Sequence, residues 1–318
     1  MLLYILQRLL AVVAIVAAMS VLVFAATHVL PGDAAVMILG QYATPESLAA
    51  IRAKLGLNDP LYLQYWRWAS AFVRGDMGDS LIMERPIAPI VWMALERSMV
   101  LAVISMVGIT VIGISLGVLS AVYRGRLVDH AASMFGYLGI SVPEFFWGIL
   151  LLLLFAKYLG WLPASGYKTL ADGLGPFLSH LILPVITLML TLIAHVLRMT
   201  RSSMLEVLHS QYVKTARAKG LPERVVLFRH ALRNGLLPTI TILAFDFGFL
   251  IGGIVVVESV FAYPGIGRML IFSIERHDLP LMQAVILLLT VLFTLTHLTA
   301  DLLYAYLNPR IRYGGGHD

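Results

Sequence analysis

Cysteine is absent from the 318 residues of this chain. No disulfide, thiolate metal site or cysteine nucleophile is therefore available to it. Charge is scarce too: 13% of the residues are Asp, Glu, Lys or Arg, where a soluble domain carries about 25%. The phosphate-loop spacing G-x-x-x-x-G-K-[ST] does not occur, which excludes ATP binding in the manner of a P-loop protein. H-E-x-x-H is also missing. Gly113-Ile114-Ser115-Leu116-Gly117 fits the hydrolase pattern G-x-S-x-G, but it lies inside an uncharged apolar run without the strand–turn–helix setting that chemistry requires. It reads better as a G-x-x-x-G helix-packing face. Nor is there a short-period repeat, a heptad array or a low-complexity linker. Together these absences argue against catalysis by this chain.

What is present is apolar. Hydrophobic residues make up 59% of the chain, and the mean hydropathy is +0.87. That excess is too large for a soluble core and fits lipid as the solvent. A membrane-spanning helix needs about 20 mostly apolar residues. Six stretches qualify or nearly do: Leu9–Leu30, Met99–Val122, Ala131–Ala156, Leu181–Met199, Thr239–Val260 and Leu281–Tyr306. The first exceeds the apolar core of a secretion signal, about 7–15 residues, and five more follow it, so it is read as a retained helix. The expected fold is an all-α integral membrane protein with six transmembrane helices.

The net charge of +5 is clustered between the apolar runs. This reads as orientation in a membrane rather than a nucleic-acid footprint. Arg8, Arg124, Arg126, the loop after Arg198, and Arg310 with Arg312 fall on one side. Lys157, Lys168, Arg268 and Arg276, each accompanied by acids, fall on the other. The positive-inside rule then puts both termini and the loop Tyr212–Pro238 in the cytoplasm. Pro31–Arg97 lies outside. Within it, Thr44-Pro45-Glu46 reads as a helix start with proline at the first position, and Gly56 as its stop. A second piece, Leu61–Arg74, puts Leu61, Tyr65, Trp68 and Phe72 on one stripe. Gly75-Asp76-Met77-Gly78 follows as a turn. The tail Gly314–Asp318 is expected to be disordered.

Tyr212–Pro238 is the main charged island. It carries Lys214, Arg217, Lys219, Arg224, Arg229 and Arg233 against one acid, Glu223. Ser210 is placed to cap a helix starting near Gln211, and Gly220 to end it in the left-handed conformation. Pro222 suits the first position of a second helix. On that helix Val225, Phe228, Leu232 and Leu236 form the predicted apolar stripe, with Arg224, Arg229, His230 and Arg233 mainly elsewhere. Composition alone leaves two readings: an interfacial helix held by anionic lipid, or a docking element for a cytoplasmic partner.

The motifs favour the second. Tyr212-Val213-Lys214-Thr215-Ala216-Arg217-Ala218-Lys219-Gly220, then His230-Ala231-Leu232-Arg233-Asn234 and Leu237-Pro238, resemble the cytoplasmic coupling loop of bacterial ABC importer permeases of the dipeptide/oligopeptide/nickel group. The wider family's Glu-Ala-Ala is not kept, since Lys214, Thr215 and Ala216 stand there. Further stretches resemble the same group: Leu30-Pro31-Gly32-Asp33, Leu55-Gly56-Leu57, Gly75 to Ser80, Gly139 to Phe146, Gly252 to Phe261, Tyr263 to Arg268, and Asn308-Pro309-Arg310-Ile311-Arg312. The resemblance implies the type I importer permease fold in the cytoplasmic (inner) membrane. It divides the chain into a first helix at 1–30, an extracytoplasmic segment at 31–97, a permease core at 98–306 with the coupling loop at 200–238, and a cytoplasmic tail at 307–318. It implies a homologous permease as partner, two cytoplasmic ATP-binding subunits, and an extracytoplasmic substrate-binding protein. ATP and Mg would sit on the partner subunits, with no cofactor in this chain. The implied cargo is di- or oligopeptides; a nickel complex, glutathione, an opine or an oligosaccharide is the alternative, and an ion-coupled secondary transporter a more distant one.

Ionisable groups inside spans cost about 2.5–3.5 kcal/mol on insertion scales and mark pathways or paired sites. Glu144, Glu258 and Asp246 are the pathway candidates. Glu144 follows Pro143, which disrupts regular pairing in the third span. Glu258 lies near a span end, as does Asp301, where exposure at the interface is expected. Asp246 sits about two turns into the fifth span, ahead of Gly248-x-x-x-Gly252, where related proteins usually carry a neutral amide. Two readings stand for it: a pathway acid favouring a substrate amine or cation, and a structural acid paired to a neighbouring subunit. His28, His195 and His297 are single histidines on separate spans, and no metal site is expected from them.

Overall fold

The computed structural model describes residues 2–29, 44–54, 56 and 58–307. Leu30-Pro31-Gly32-Asp33, Leu55, Leu57, Asn308-Pro309-Arg310-Ile311-Arg312 and Gly314–Asp318 fall outside the described residues. In chain order the helices are α1 Leu2–Val29, α2 Pro45–Lys54, α3 Leu61–Val73, α4 Ile87–Val122, α5 Leu127–Ser141, and α6 Glu144–Leu151, which runs on as π-helical Leu152–Tyr158. After a 3-10 turn at Leu170–Asp172 come α7 Leu174–Leu208, α8 Gln211–Ala218 and α9 Glu223–Val225. The last continues as π-helical Val226–Ala231 into α10 Leu232–Gly235. α11 Leu237–Val260, α12 Ile266–Glu275 and α13 Leu279–Leu307 complete the order.

Among the described residues five helices, α1, α4, α7, α11 and α13, are long and apolar enough to cross a membrane. α5 and α6 qualify together as one span bent by 105°, which makes six. The third span, read over Ala131–Ala156 with a disruption at Pro143, is two helices that change direction there. Pro143 has no N–H and crowds the residue before it, so Val142 leaves the helical region (φ −108, ψ 127) and the direction changes there. The second span also differs from its reading. It begins at Ile87 rather than Met99. Pro89 is tolerated in a first turn, and Glu96 and Arg97 hid the start by lowering the local hydropathy. α12 begins within the Tyr263 to Arg268 motif, with Gly265 at its N-cap.

The chain forms two compact units. One comprises Met1–Ser98 and Pro264–Leu295. There the Thr44 hydroxyl accepts from the Ser47 N–H at 3.2 Å, as its capping position requires, and Gly56 takes φ +66. The aromatic stripe of α3 turns to α1: Tyr65 and Trp68 lie 5.5 and 5.9 Å from the Phe24 ring, and the Tyr65 and Ser20 hydroxyls are 2.8 Å apart. Asp278, fully buried before α13, accepts from the Ser80 hydroxyl and from the N–H groups of Leu81, Ile82 and Leu281. The Gly75–Ser80 motif thus ends on a carboxylate nearly 200 residues away in sequence.

The other unit comprises Met99–Tyr263 and Thr296–Asp318. Its core gathers Leu101, Ile109, Leu183, Leu188, Val196, Leu250, Ile254 and Tyr263. Missing side chains bring α4 and α7 together: a Cβ at Gly113 would stand 2.8 Å from the Val196 Cβ, and one at Gly117 2.5 Å from the Thr200 Cβ. The G-x-x-x-G reading of Gly113 and Gly117 is the packing seen. The Thr200 and Thr239 hydroxyls, 3.1 Å apart, join α7 to α11.

Candidate functional site

α8 has a clear inner face. Val213 and Ala216, one turn apart, are buried against Val226 and Val207. Tyr212, Lys214, Thr215, Arg217, Ala218, Lys219 and Gly220 are all exposed. Gly220 takes φ +75, a conformation glycine adopts without a Cβ penalty, and the chain reverses there as its position predicts. Across that turn Arg217 grips Glu223 with two hydrogen bonds, Nε to Oε2 at 3.1 Å and Nη2 to Oε1 at 2.6 Å. The guanidinium holds the Glu223 carboxyl below its ordinary range. Asn234 Nδ2 donates to the Tyr212 hydroxyl at 3.0 Å, so the second half of the motif braces the first.

Three local readings of the loop need correction. The Ser210 hydroxyl does not cap α8; it donates back to the Val207 carbonyl at 2.6 Å. Pro222 stands at the N-cap of the return segment instead of its first helical position. The return segment is not a regular helix, because residues 226–231 are π-helical. The wider turn changes the register. Val226, Ala231 and Gly235 point inward, while Phe228, assigned to the apolar stripe, is 64% exposed. Gly235 is needed where it is, since a Cβ there would lie 2.5 Å from the Met204 sulfur. His230 is half-buried; Arg233 and Pro238 are exposed.

The intramembrane acids separate into three environments. Asp246 is 3% exposed; its Oδ1 lies 3.4 Å from His195 Nδ1, and its Oδ2 has no partner among the described residues. Glu258 is fully buried, so the interface exposure expected for it is not seen. Glu144 is half-buried at the start of α6, and its carboxylate lies over the α11 backbone where a Cβ at Gly253 would come 2.6 Å from Oε2. The close approach that Gly248-x-x-x-Gly252 predicts is shared differently: Gly248 sits under the His297 ring, while Gly252 meets nothing and Gly253 takes its place. Among the described residues no three His, Asp or Glu side chains converge as a metal site would require.

Two carboxylates that organise this chain were not singled out from sequence. Asp129 meets Arg201, and Asp278 meets Ser80. The only advance signal was a charged residue beside a span in a chain poor in charge.

The comparisons with known proteins bear on the whole chain. Residues 113–313 match the family described as binding-protein-dependent transport system inner membrane component, and residues 1–112 match the N-terminal family of the same membrane components. The chain belongs to this family of ABC importer permeases. A probable peptide ABC transporter permease of Sinorhizobium fredii is 41% identical over 310 residues, covering 98% of this chain and 99% of that protein. The glutathione transport system permease GsiC of Escherichia coli is 42% identical over 313 residues, covering 98% and 100%. In solved structures, the inward-facing MetNI methionine ABC transporter shares the fold, with a TM-score of 0.56 at 17% identity over 69% of this chain and 96% of that one. This permease is thus a multi-pass inner-membrane protein with the type I importer fold, and its family works with a substrate-binding protein and an ATPase.

Proposed function

We propose that this permease forms, with a homologous permease, the transmembrane pathway of an importer for di- or oligopeptides. Two cytoplasmic ATP-binding subunits, which carry the ATP and Mg, dock on α8 and its flanks. The observation that carries this is the two-faced loop. Its inner face is fixed by Val213 and Ala216, and at the surface the Arg217–Glu223 pair and the Asn234–Tyr212 bond tie it to the return segment. Its outer face offers Lys214, Thr215, Ala218 and Lys219 to a partner. A braced element with one exposed face suits transmission of a push; a helix lying on anionic lipid needs no such bracing. The loop and both termini are cytoplasmic on this reading, and residues 31–97 face the binding protein. That segment, with the end of α1 and the start of α13, lines a cavity of about 1000 Å³ that includes Phe24, His28, Gln64, Trp68 and Gln283, which supports delivery of cargo to that face.

Peptide cargo is supported by the Sinorhizobium relative, and the Escherichia coli relative favours glutathione, itself a modified tripeptide, as the second reading. Among the three acids Glu144 has the most access to cargo, while Asp246 and Glu258 are enclosed by their own chain. The test is co-expression with candidate ATPase subunits and a second permease, reconstitution in proteoliposomes, and uptake of labelled dipeptides or glutathione with ATP inside. Purification without ATPases, or uptake that ignores ATP and collapses with an ionophore, overturns the proposal. Lys214→Glu with Lys219→Glu should release the ATPases without loss of insertion. Ala216→Arg is the less informative variant, because Ala216 faces inward and its replacement would disrupt the loop itself.

A further inference from the structure

Asp129 opens α5 and is 4% exposed. Four donors fill its carboxylate. Oδ1 accepts from Arg201 Nε at 2.7 Å and from the Ser120 hydroxyl; Oδ2 accepts from Arg201 Nη2 at 2.9 Å and from the Gly125 N–H at 2.9 Å. Ser120 belongs to α4, Gly125 to the turn between the second and third spans, and Arg201 to α7. One side chain therefore joins three elements. One turn further along α7, Met204 is fully buried with Ala121, from the end of α4, and Ala231, from the return segment of the loop. Gly235 also closes on the Met204 sulfur. The return segment thus packs on α7 one turn from the ion pair.

We infer that Asp129–Arg201 is a positioning tie: it makes the second and third spans follow α7 and the coupling loop when an ATPase moves that loop. The inference rests on the docking reading of α8. Its physical basis is the fork. Two parallel bonds from a planar guanidinium fix orientation as well as distance, so a tilt of α7 is passed on as a tilt. A lysine at the same place would supply charge through a single flexible point and let the elements pivot. The packing of Met204, Ala121 and Ala231 resists compression but has no means of resisting rotation comparable to that fork.

The experiment compares Arg201→Lys and the neutral pair Asp129→Asn/Arg201→Gln with the unaltered importer. It is done in proteoliposomes containing the full complex and the binding protein, and measures ATP hydrolysis and cargo uptake in the same vesicles. Both variants should insert, retain the ATPases and hydrolyse ATP, while uptake per ATP falls on the order of tenfold, the size expected when a coupling element is loosened. Unchanged uptake per ATP in both variants overturns the tie. So does failure of both to insert, or a proportional fall of hydrolysis and uptake, since the network would then only hold the fold. The docking reading fails separately: if Lys214→Glu with Lys219→Glu leaves the ATPases bound and coupled, α8 is not their site. If that variant releases them while Arg201→Lys couples normally, only the tie is lost.

Discussion

Asp129 and Asp246 are both buried acids, and both reach toward α7. Their surroundings differ in donor count. Asp129 receives four hydrogen bonds, two of them from a guanidinium. Asp246 has one long contact to a histidine and a second oxygen with no partner among the described residues. Burial therefore does not rank acids in a membrane protein; the number and charge of the donors does. A satisfied carboxylate near a span end can bind elements into one body. A half-satisfied one in mid-span adds cost without comparable cohesion.

The largest expected effect follows from emptying the satisfied site. Asp129→Ala strands Arg201 and should cost about 3–5 kcal/mol; because Arg201 is 30% exposed, the lower end applies. Thermal unfolding in detergent measures it, and a loss near zero would erase the contrast between the two acids. Next comes Gly117→Val, which puts side chain where Thr200 and the Leu197 carbonyl already stand and should cost about 1–3 kcal/mol. If it also lowers uptake per ATP, the seam between α4 and α7 belongs to the same tie as Asp129. Asp246→Asn should stay within about 1 kcal/mol of the unaltered protein in either direction, since it removes a poorly satisfied charge and keeps a partner for His195. A destabilisation equal to that of Asp129→Ala would break the comparison from the other side.

The smallest effect is at the loop surface. Arg217 depresses the Glu223 carboxyl in the folded state, so the pair's contribution is present above the unfolded value near 4.5 and is lost as pH falls through the lower folded value. Both partners are substantially exposed, 42% and 63%. Glu223→Gln at neutral pH should thus change stability by under about 0.5 kcal/mol, read as faster amide exchange around Gly220 with little shift in unfolding temperature. An effect as large as that at Asp129 would show that exposed and buried pairs in this chain are equivalent.

Much of the loop was legible in advance, because its signals are local. Gly220 ends α8 for reasons contained in one residue, and Thr44 with Pro45 starts α2 in the same way. The register of the return segment was not legible. A π-helical stretch admits an extra residue per turn, and nothing in Val226–Ala231 marks it. What turns Val226, Ala231 and Gly235 inward is the surface they meet, and Phe228 is left outside for the same reason. The bend at Pro143 was half legible: proline announced a disruption, but not a change of direction by 105°.

The amino-acid sequence alone determined that this chain lives in lipid, crosses it about six times, and carries a divided basic loop with the motifs of an importer permease. Those properties depend on runs of about twenty residues or on single punctuating residues, and such patterns survive without knowledge of contacts. Only the tertiary structure decided which polar groups are satisfied. Asp129 and Arg201 are 72 residues apart, Ser80 and Asp278 198. A carboxylate's cost or benefit in a low-dielectric interior depends on donors within about 3 Å, and which donors arrive there is settled by packing.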